Sequence, residues 1–272
     1  MTSFAVVASE GGHWYDRSLR QVETVESAKG QPIRPDIRHA RKLDFAPGVT
    51  TILKAADKPA LTAYLQRQAI MSALTLPREA GESDDTYVAR VLADSKEHAR
   101  QAADLGTEIH AAVEIGIRDG AAPTKHAETV RAIQTTLEMT MGSRSWRTES
   151  VAVSYLGYGT KSDLHSAAAE GRMAVVLDLK TKDGDTADQK LWDEHPEQLA
   201  ATARALHDTF PGDGYDRAVC GIIFVSRTIP GNHKLVLALP EQVVDGMARF
   251  RALLRYWQLK NRHRPTWARE DA

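Results

Sequence analysis

The sequence predicts a single mixed α/β domain with a helical front portion, and three observations carry that prediction. Apolar residues recur at helical spacing from Pro59 to about residue 141. From Thr148 the period changes to two, as in a strand that faces a core on one side. Beyond it the patterns run strand, strand, strand, helix, strand, strand, helix, an order that packs helices on a sheet. The chain divides into an N-terminal irregular or β extension (1–58), a helical portion (59–145), an α/β core (146–240) and a C-terminal helical segment (241–272).

Residues 1–50 mix characters, with turns at Gly11-Gly12, Gly30, Pro32, Pro35 and Pro47, and are expected to be irregular, with room for a short β-ribbon. Pro59 suits a first helical turn, and Leu61, Leu65, Ala69 and Ala73 continue the pattern. Glu82-Ser83-Asp84-Asp85 reads as a second helix start, because acidic groups are favoured at the positive end of the helix dipole. Val88, Val91 and Leu92 follow at helical spacing, and the pattern continues or restarts from Ala99 to Ile117. A further helix is expected over 125–141.

Val151 and Val153 alternate with Ala152 and Ser154 in the first strand. A turn at Gly157-Tyr158-Gly159 leads to a strand around Lys161–Ser166. Residues 174–179 read as a largely buried strand. Pro196 opens a helix that runs to about Phe210. Strands at Val219–Val225 and Leu235–Leu239 flank a turn at Pro230-Gly231-Asn232, and a closing helix covers about 241–261.

Composition excludes several classes. No apolar run approaches the roughly 20 residues of a membrane span. The amino-terminal stretch Phe4–Ala8 is short for a signal peptide and has no basic lead-in. A single cysteine, Cys220, rules out an internal disulfide framework, a Cys-rich zinc site and a Cys-held iron–sulfur cluster. The expectation is a cytoplasmic protein with no membrane association. With 35 Lys+Arg against 36 Asp+Glu, net charge does not announce a nucleic-acid partner.

The chemistry concentrates between Glu149 and Gln198. Asp178 and Lys180 lie two apart on a strand, so both side chains share a face. Charged groups among Val175, Val176 and Leu177 are costly to bury without partners. Asp163 lies on the preceding strand and could come beside Asp178 through neighbouring pairing. Two converging carboxylates form a hard-oxygen site suited to Mg²⁺ or Mn²⁺, and a lysine beside them can offset charge on a phosphate. A plain surface Asp–Lys pair on an edge strand is the rival reading of the same spacing.

A series of pieces in order resembles the PD-(D/E)XK nuclease superfamily, in its RecB-like, phage-type exonuclease branch. These are Gly106-Thr107-Glu108-Ile109-His110, Glu149 at a strand start, Thr160-Lys161-Ser162-Asp163-Leu164, Leu177-Asp178-Leu179-Lys180-Thr181-Lys182 and His195-Pro196-Glu197-Gln198-Leu199. Pro47–Leu53 is similar to a segment that precedes the helices in such proteins, and the likeness spans roughly residues 45–210. Two departures stand out: Thr160 replaces the glycine before the first acid, and Thr202 replaces a tyrosine four residues after Gln198.

The resemblance implies a restriction-endonuclease-like mixed central sheet flanked by helices. It implies that His110, Asp163, Asp178 and the Leu179 carbonyl hold Mg²⁺ or Mn²⁺, that Lys180 is the catalytic lysine, and that Gln198 positions Lys180 or the scissile phosphate. Outside the resemblance, His110 reads as a core histidine satisfied by a carbonyl. Glu149 is either a carboxylate supporting the ligands or a strand-end surface residue, and Thr202 keeps only a hydroxyl of the tyrosine contact. Lys161 and Lys182 either bind phosphates or are solvated. The same holds for the basic stretch of the last helix, with Arg255, Lys260 and Arg262, and for the cluster Arg34, Arg38, His39, Arg41 and Lys42. The implied activity is exonucleolytic hydrolysis of DNA in phage recombination or processing. The implied partners are linear duplex or single-stranded DNA ends, a recombination or single-strand-binding protein, and further copies of the chain. A structure-specific endonuclease and a non-cleaving DNA-binding module are the rivals.

Overall fold

The computed structural model describes residues 12–121, 123–192 and 194–269. The amino-terminal stretch Phe4–Ala8 and Gly11 of the first turn lie outside them.

The N-terminal segment holds more structure than its composition suggested. Strands β1 (Trp14–Tyr15), β2 (Gln21–Val22), β3 (Val25–Glu26) and β4 (Pro32–Ile33) form two short ribbons, followed by helix α1 (Ile37–Leu43), strand β5 (Ala46–Pro47) and helix α2 (Val49–Leu53). The two helices correct the expectation of an irregular extension. The Asp36 side chain caps α1, accepting from the Arg38 and His39 N–H groups at 2.9 and 3.1 Å. Helix α2 contains β-branched residues that favour strands, and burial of Val49, Ile52 and Leu53 holds it helical.

Helices α3 (Pro59–Thr75) and α4 (Asp84–Asp119) follow. Helix α4 is unbroken over 36 residues, about 54 Å at 1.5 Å per residue. Ser83 caps its start, Asp84 and Asp85 fill its first turn, and left-handed Gly120 ends it. A single 3₁₀ turn at Thr124–His126 leads into α5 (Ala127–Met141).

The core sheet comprises β6 (Arg147–Ser154), β7 (Tyr158–Ser166), β8 (Val175–Lys182), β9 (Val219–Ser226) and β10 (His233–Leu237), in the order β10-β9-β8-β7-β6. Helix α6 (Glu194–Thr209) crosses between the parallel pair β8 and β9, all other pairs are antiparallel, and α7 (Pro240–Asn261) closes the chain. The fold is therefore mixed α/β, as expected. Tyr158 and Gly159, expected in a turn, begin β7, and β10 ends two residues before the predicted limit. Helices α2, α6 and α7 bury Leu199, Leu206, Ile222, Phe224 and Phe250 against one face of the sheet. Helices α4 and α5 bury Ile109, Val113, Ile133, Leu164, Leu177 and Ile223 against the other. Among the described residues no helix is long and apolar enough to cross a membrane.

Gly159 fixes how the N-terminal ribbon meets β7. A Cβ built there would stand 2.4 Å from Cγ and 2.6 Å from Cβ of Tyr15, a ring that is itself buried. Gly159→Ala should therefore destabilise the protein by about 1–3 kcal/mol, as overpacking does. A urea midpoint equal to wild type would show that the ribbon gives way without cost.

His165 sits wholly buried at the end of β7, its Nδ1 2.6 Å from the Tyr215 hydroxyl and its ring stacked on Phe210. Burial, with Arg147 adding to it, pulls its pKa down to about 4. The unfolded chain takes up this proton near pH 6.5 and the folded chain does not, so His165 is neutral in both states above that pH. Stability should thus fall as pH drops from about 6.5 to 4, by about 3 kcal/mol at full effect. Urea titrations at pH 7 and pH 5 should show that His165→Phe loses less stability on acidification than wild type; equal losses would count against this source.

Candidate active site

The strand registers bring three carboxylates into a row. The β6–β7 ladder pairs Thr148 with Leu164 and Ser150 with Ser162, so Glu149 stands opposite Asp163. The β7–β8 ladder pairs Ser166 with Val175, His165 with Val176 and Leu164 with Leu177, and one residue further in that register lies Asp163 opposite Asp178. The backbone pairing stops there. Asp163 Oδ2 instead accepts the Leu179 N–H at 2.8 Å, so the side chain holds the parting strands together.

A change of facing aims these residues. Tyr158 donates to the Ala201 carbonyl and Thr160 meets Thr202 at 3.3 Å, so this half of β7 faces α6. Leu164, which strict alternation would put on the same face, packs instead with α4 and α5. The switch falls around Asp163. Across from it Glu149 has a φ of 51°, an uncommon left-handed conformation for a residue with a side chain. Such conformations cost on the order of 1–3 kcal/mol and tend to cluster at functional sites.

Around the acids the contacts are direct. Lys180 Nζ lies 2.8 Å from Asp178 Oδ2. Gln198 Nε2 donates to Asp178 Oδ1 at 2.6 Å. His110 Nδ1 approaches Asp163 Oδ2 at 3.8 Å, and Lys161 forms an ion pair with Glu149. His110 reaches the sheet because α4 comes close to β8 at Gly106, where a Cβ would meet Thr181 Oγ1 at 2.8 Å. His110, Glu114, Thr148, Glu149, Asp163 and Leu179 share one narrow crevice.

Electrostatics mark the group as strained. Burial, reinforced by the negative charge of Asp178, pushes the Asp163 carboxyl well above the usual carboxylate range, and the Leu179 N–H offsets only part of this. Burial lowers the His110 pKa, with Lys180 adding to the effect and Asp178 opposing it, so its ring stays neutral and keeps a lone pair. Burial acts against the Lys180 ammonium, yet the Asp178 charge and contact hold its pKa above the ordinary lysine value.

His110, Asp163, Asp178, Leu179, Lys180, Gln198 and Glu149 thus come together. The contact of Gln198 is with the Asp178 carboxylate, whose other oxygen meets Lys180. The contact of Leu179 with the acids is through its N–H. Thr202 is buried against Thr160, so the two positions at which the sequence departs from the resemblance touch each other in the α6 interface. Lys182 is exposed at the end of β8. Arg255, Lys260 and Arg262 belong to α7 and its cap and are exposed, while α7 packs on α6 and α2. Of the N-terminal basic cluster, His39 is tied to Asp36 within the first turn of α1, and Arg41 donates to the Asn261 carbonyl at the end of α7.

Four participants were missed. Glu194 lies close enough to raise the Lys180 pKa and is itself ion-paired with Lys58. Glu114 is one helical turn beyond His110, the i+4 spacing that could have revealed it. Burial raises the Tyr15 pKa, and the charges of Glu149 and Asp163 add to it. No local pattern announces Lys58, Glu194 or Tyr15.

Among the described residues no three His, Cys, Asp or Glu side chains already converge as a chelating set. The donors nonetheless suit a hard divalent cation. Two carboxylates press on each other, Asp178 Oδ2 is buried without a well-directed hydrogen bond, its lysine contact being an ion pair, and a neutral imidazole adjoins Asp163.

No family model matches the chain, and the search of curated proteins finds no match. Among solved structures, the crystal structure of SSO0001 is similar at 12% identity and a TM-score of 0.32, over 74% of this chain and 86% of that one. At that level the likeness carries no argument.

Proposed function

We propose that this chain is a metal-dependent deoxyribonuclease with a restriction-endonuclease-like core, hydrolysing phosphodiester bonds from DNA ends. The observation that supports it is the meeting of His110, Asp163, Asp178 and Lys180 where β7 and β8 part. His110, Asp163 and Asp178 would hold Mg²⁺ or Mn²⁺. When bound, such an ion supplies positive charge against a phosphate oxygen and lowers the pKa of water. The protein's own groups do the rest. The Leu179 N–H fixes Asp163, Gln198 fixes one oxygen of Asp178, and the Lys180 ammonium presents a cation where charge develops on the phosphate. No group in the cluster reads bases, so substrate choice would rest on shape and phosphate contacts.

Purified protein with Mg²⁺ should degrade linear DNA and spare covalently closed circles. Cutting of circles at comparable rates would point to an endonuclease, and no cutting of DNA or RNA to a binding module.

A further inference from the structure

Three arginines from separate segments meet over one cavity. It lies where α5 hands over to β6 and where β7 turns back toward β8. Its volume is about 360 Å³, and Arg144, Arg147, Arg172, Ser143, Ser145 and Ser166 line it. It shares no lining residue with the acid crevice. Ser166 stands three residues beyond Asp163 on β7, about 10 Å at roughly 3.3 Å per residue.

Each guanidinium is held in place. Arg144 donates from Nε to the Met141 carbonyl at 3.0 Å and from Nη1 to the Met173 carbonyl at 2.9 Å. Arg147 pairs with Asp213 at 2.9 Å and lies over the Phe210 ring, 5.6 Å from its centre. Arg172 closes a two-residue hairpin turn, exchanging backbone bonds of 2.9 and 3.2 Å with Ala169. The φ values of 52° at Glu170 and 75° at Gly171 make this the tight turn that suits twisted strands. A Cβ at Gly142 would stand 2.8 Å from Arg172 Nη1, so that guanidinium lies against the end of α5. The charge is not cancelled within the cavity. Both bonds of Arg144 go to neutral carbonyls, and Glu170, the one acid in the lining, is 82% exposed where it meets Arg172. Burial and the Arg172 charge press the Arg144 pKa below the ordinary arginine value, as two neighbouring cations require. Carbonyls at the C-terminal end of α5 favour a cation there, but they do not bring Arg147 to the same cavity.

We propose that this arginine cavity is a binding site for a phosphate group, separate from the acid cluster and independent of a metal ion. Guanidinium forks match phosphate oxygens in pairs, and a tetrahedral phosphate has acceptors enough for several forks and for the serine hydroxyls at once. The volume is at the lower end of the range for ligand pockets, roughly 300–1,000 Å³, so the phosphate enters with part of what carries it. The carrier is either a small phosphate compound or one unit of a nucleic-acid strand.

Calorimetric titration of the full chain in chelator, with inorganic phosphate and with a single-stranded DNA oligonucleotide, tests this without any cleavage. Either ligand that occupies the cavity should also raise the Tm at fixed ionic strength, because it binds the folded chain. The variant Arg144→Gln/Arg172→Gln should weaken binding at least tenfold. Should that variant fold poorly, Ser145→Asp decides: it breaks none of the bonds that hold the arginines, sits at an exposed position, and should weaken binding similarly by placing a negative charge in the cavity. Loss of phosphate binding with unchanged oligonucleotide affinity assigns the site to a small phosphate compound. Weaker oligonucleotide binding, with a log-salt slope reduced by about 0.7, assigns it to one strand phosphate. Binding of neither ligand, or binding that neither variant alters, overturns the proposal. A protein that binds in this way yet cuts nothing would leave the phosphate site standing and the nuclease reading refuted.

Discussion

Lys180→Ala should cut DNA cleavage by about 10²–10³-fold, the usual loss when one preorganised stabilising group is removed from a reaction centre, and should leave Mn²⁺ affinity equal or slightly higher. The ammonium contacts one oxygen of Asp178, and Gln198 holds the other. Removing it deletes a cation that repels the ion and deletes no ligand. It also leaves a buried carboxylate oxygen without its ion-pair partner, which costs about 1–3 kcal/mol. Added Mn²⁺ should restore that stability while cleavage stays low. Asp178→Asn should behave differently: cleavage and Mn²⁺ affinity should fall together, because an anionic oxygen becomes a neutral amide. Calorimetric titration beside a gel assay separates the two. A Lys180→Ala protein that cuts at the wild-type rate would sink the mechanism.

Asp163→Asn should abolish cleavage and yet stabilise the metal-free protein at pH 7, because the folded chain holds this carboxyl well above its unfolded pKa. Asp163 is buried beside Asp178, and burial together with that second charge disfavours its ionised form. Asparagine keeps an oxygen for the Leu179 N–H and can turn its amide toward Asp178. The sign follows from the raised folded-state pKa. Wild-type stability from this group is complete below the unfolded value of about 3.9 and is lost as pH rises toward the folded value. The advantage of Asp163→Asn should therefore grow with pH across that window. Mn²⁺ should shrink that advantage, since an ion at a hundred times its Kd adds about 2.7 kcal/mol to wild type and little to the variant. Thermal melts in chelator and in Mn²⁺ test this, at roughly 2–4 °C per kcal/mol. A variant less stable than wild type in chelator would mean that Asp163 is a structural acid.

The residues of the site were legible where chemistry is local in sequence. Asp178 and Lys180 share a strand face by period two, and each finds the other. Gln198 was legible as a participant but not in its contact, because which atom it meets depends on the height of α6 over β8. Lys58 and Glu194, 136 residues apart, had no pattern to betray them, since each acquires meaning only from the other. Glu149 was ambiguous for a similar reason: its strand position was readable, whereas its left-handed backbone depends on both neighbouring ladders.

Hydrophobic period, with Pro, Gly and acidic start signals, was enough to reveal the helical segments, the five core strands and their order along the chain, because these are properties of each segment taken singly, whereas the unbroken run of α4 was left open. It did not reveal α1 or α2. The first is seven residues held by the Asp36 cap, and the second is a β-branched segment made helical by what it packs against. Nor did it reveal the switch of facing in β7 or the row of three carboxylates. These arise from register and from packing between segments far apart in the chain. A carboxylate is raised in pKa and an imidazole kept neutral by their neighbours in space, and those neighbours exist only once the chain has folded.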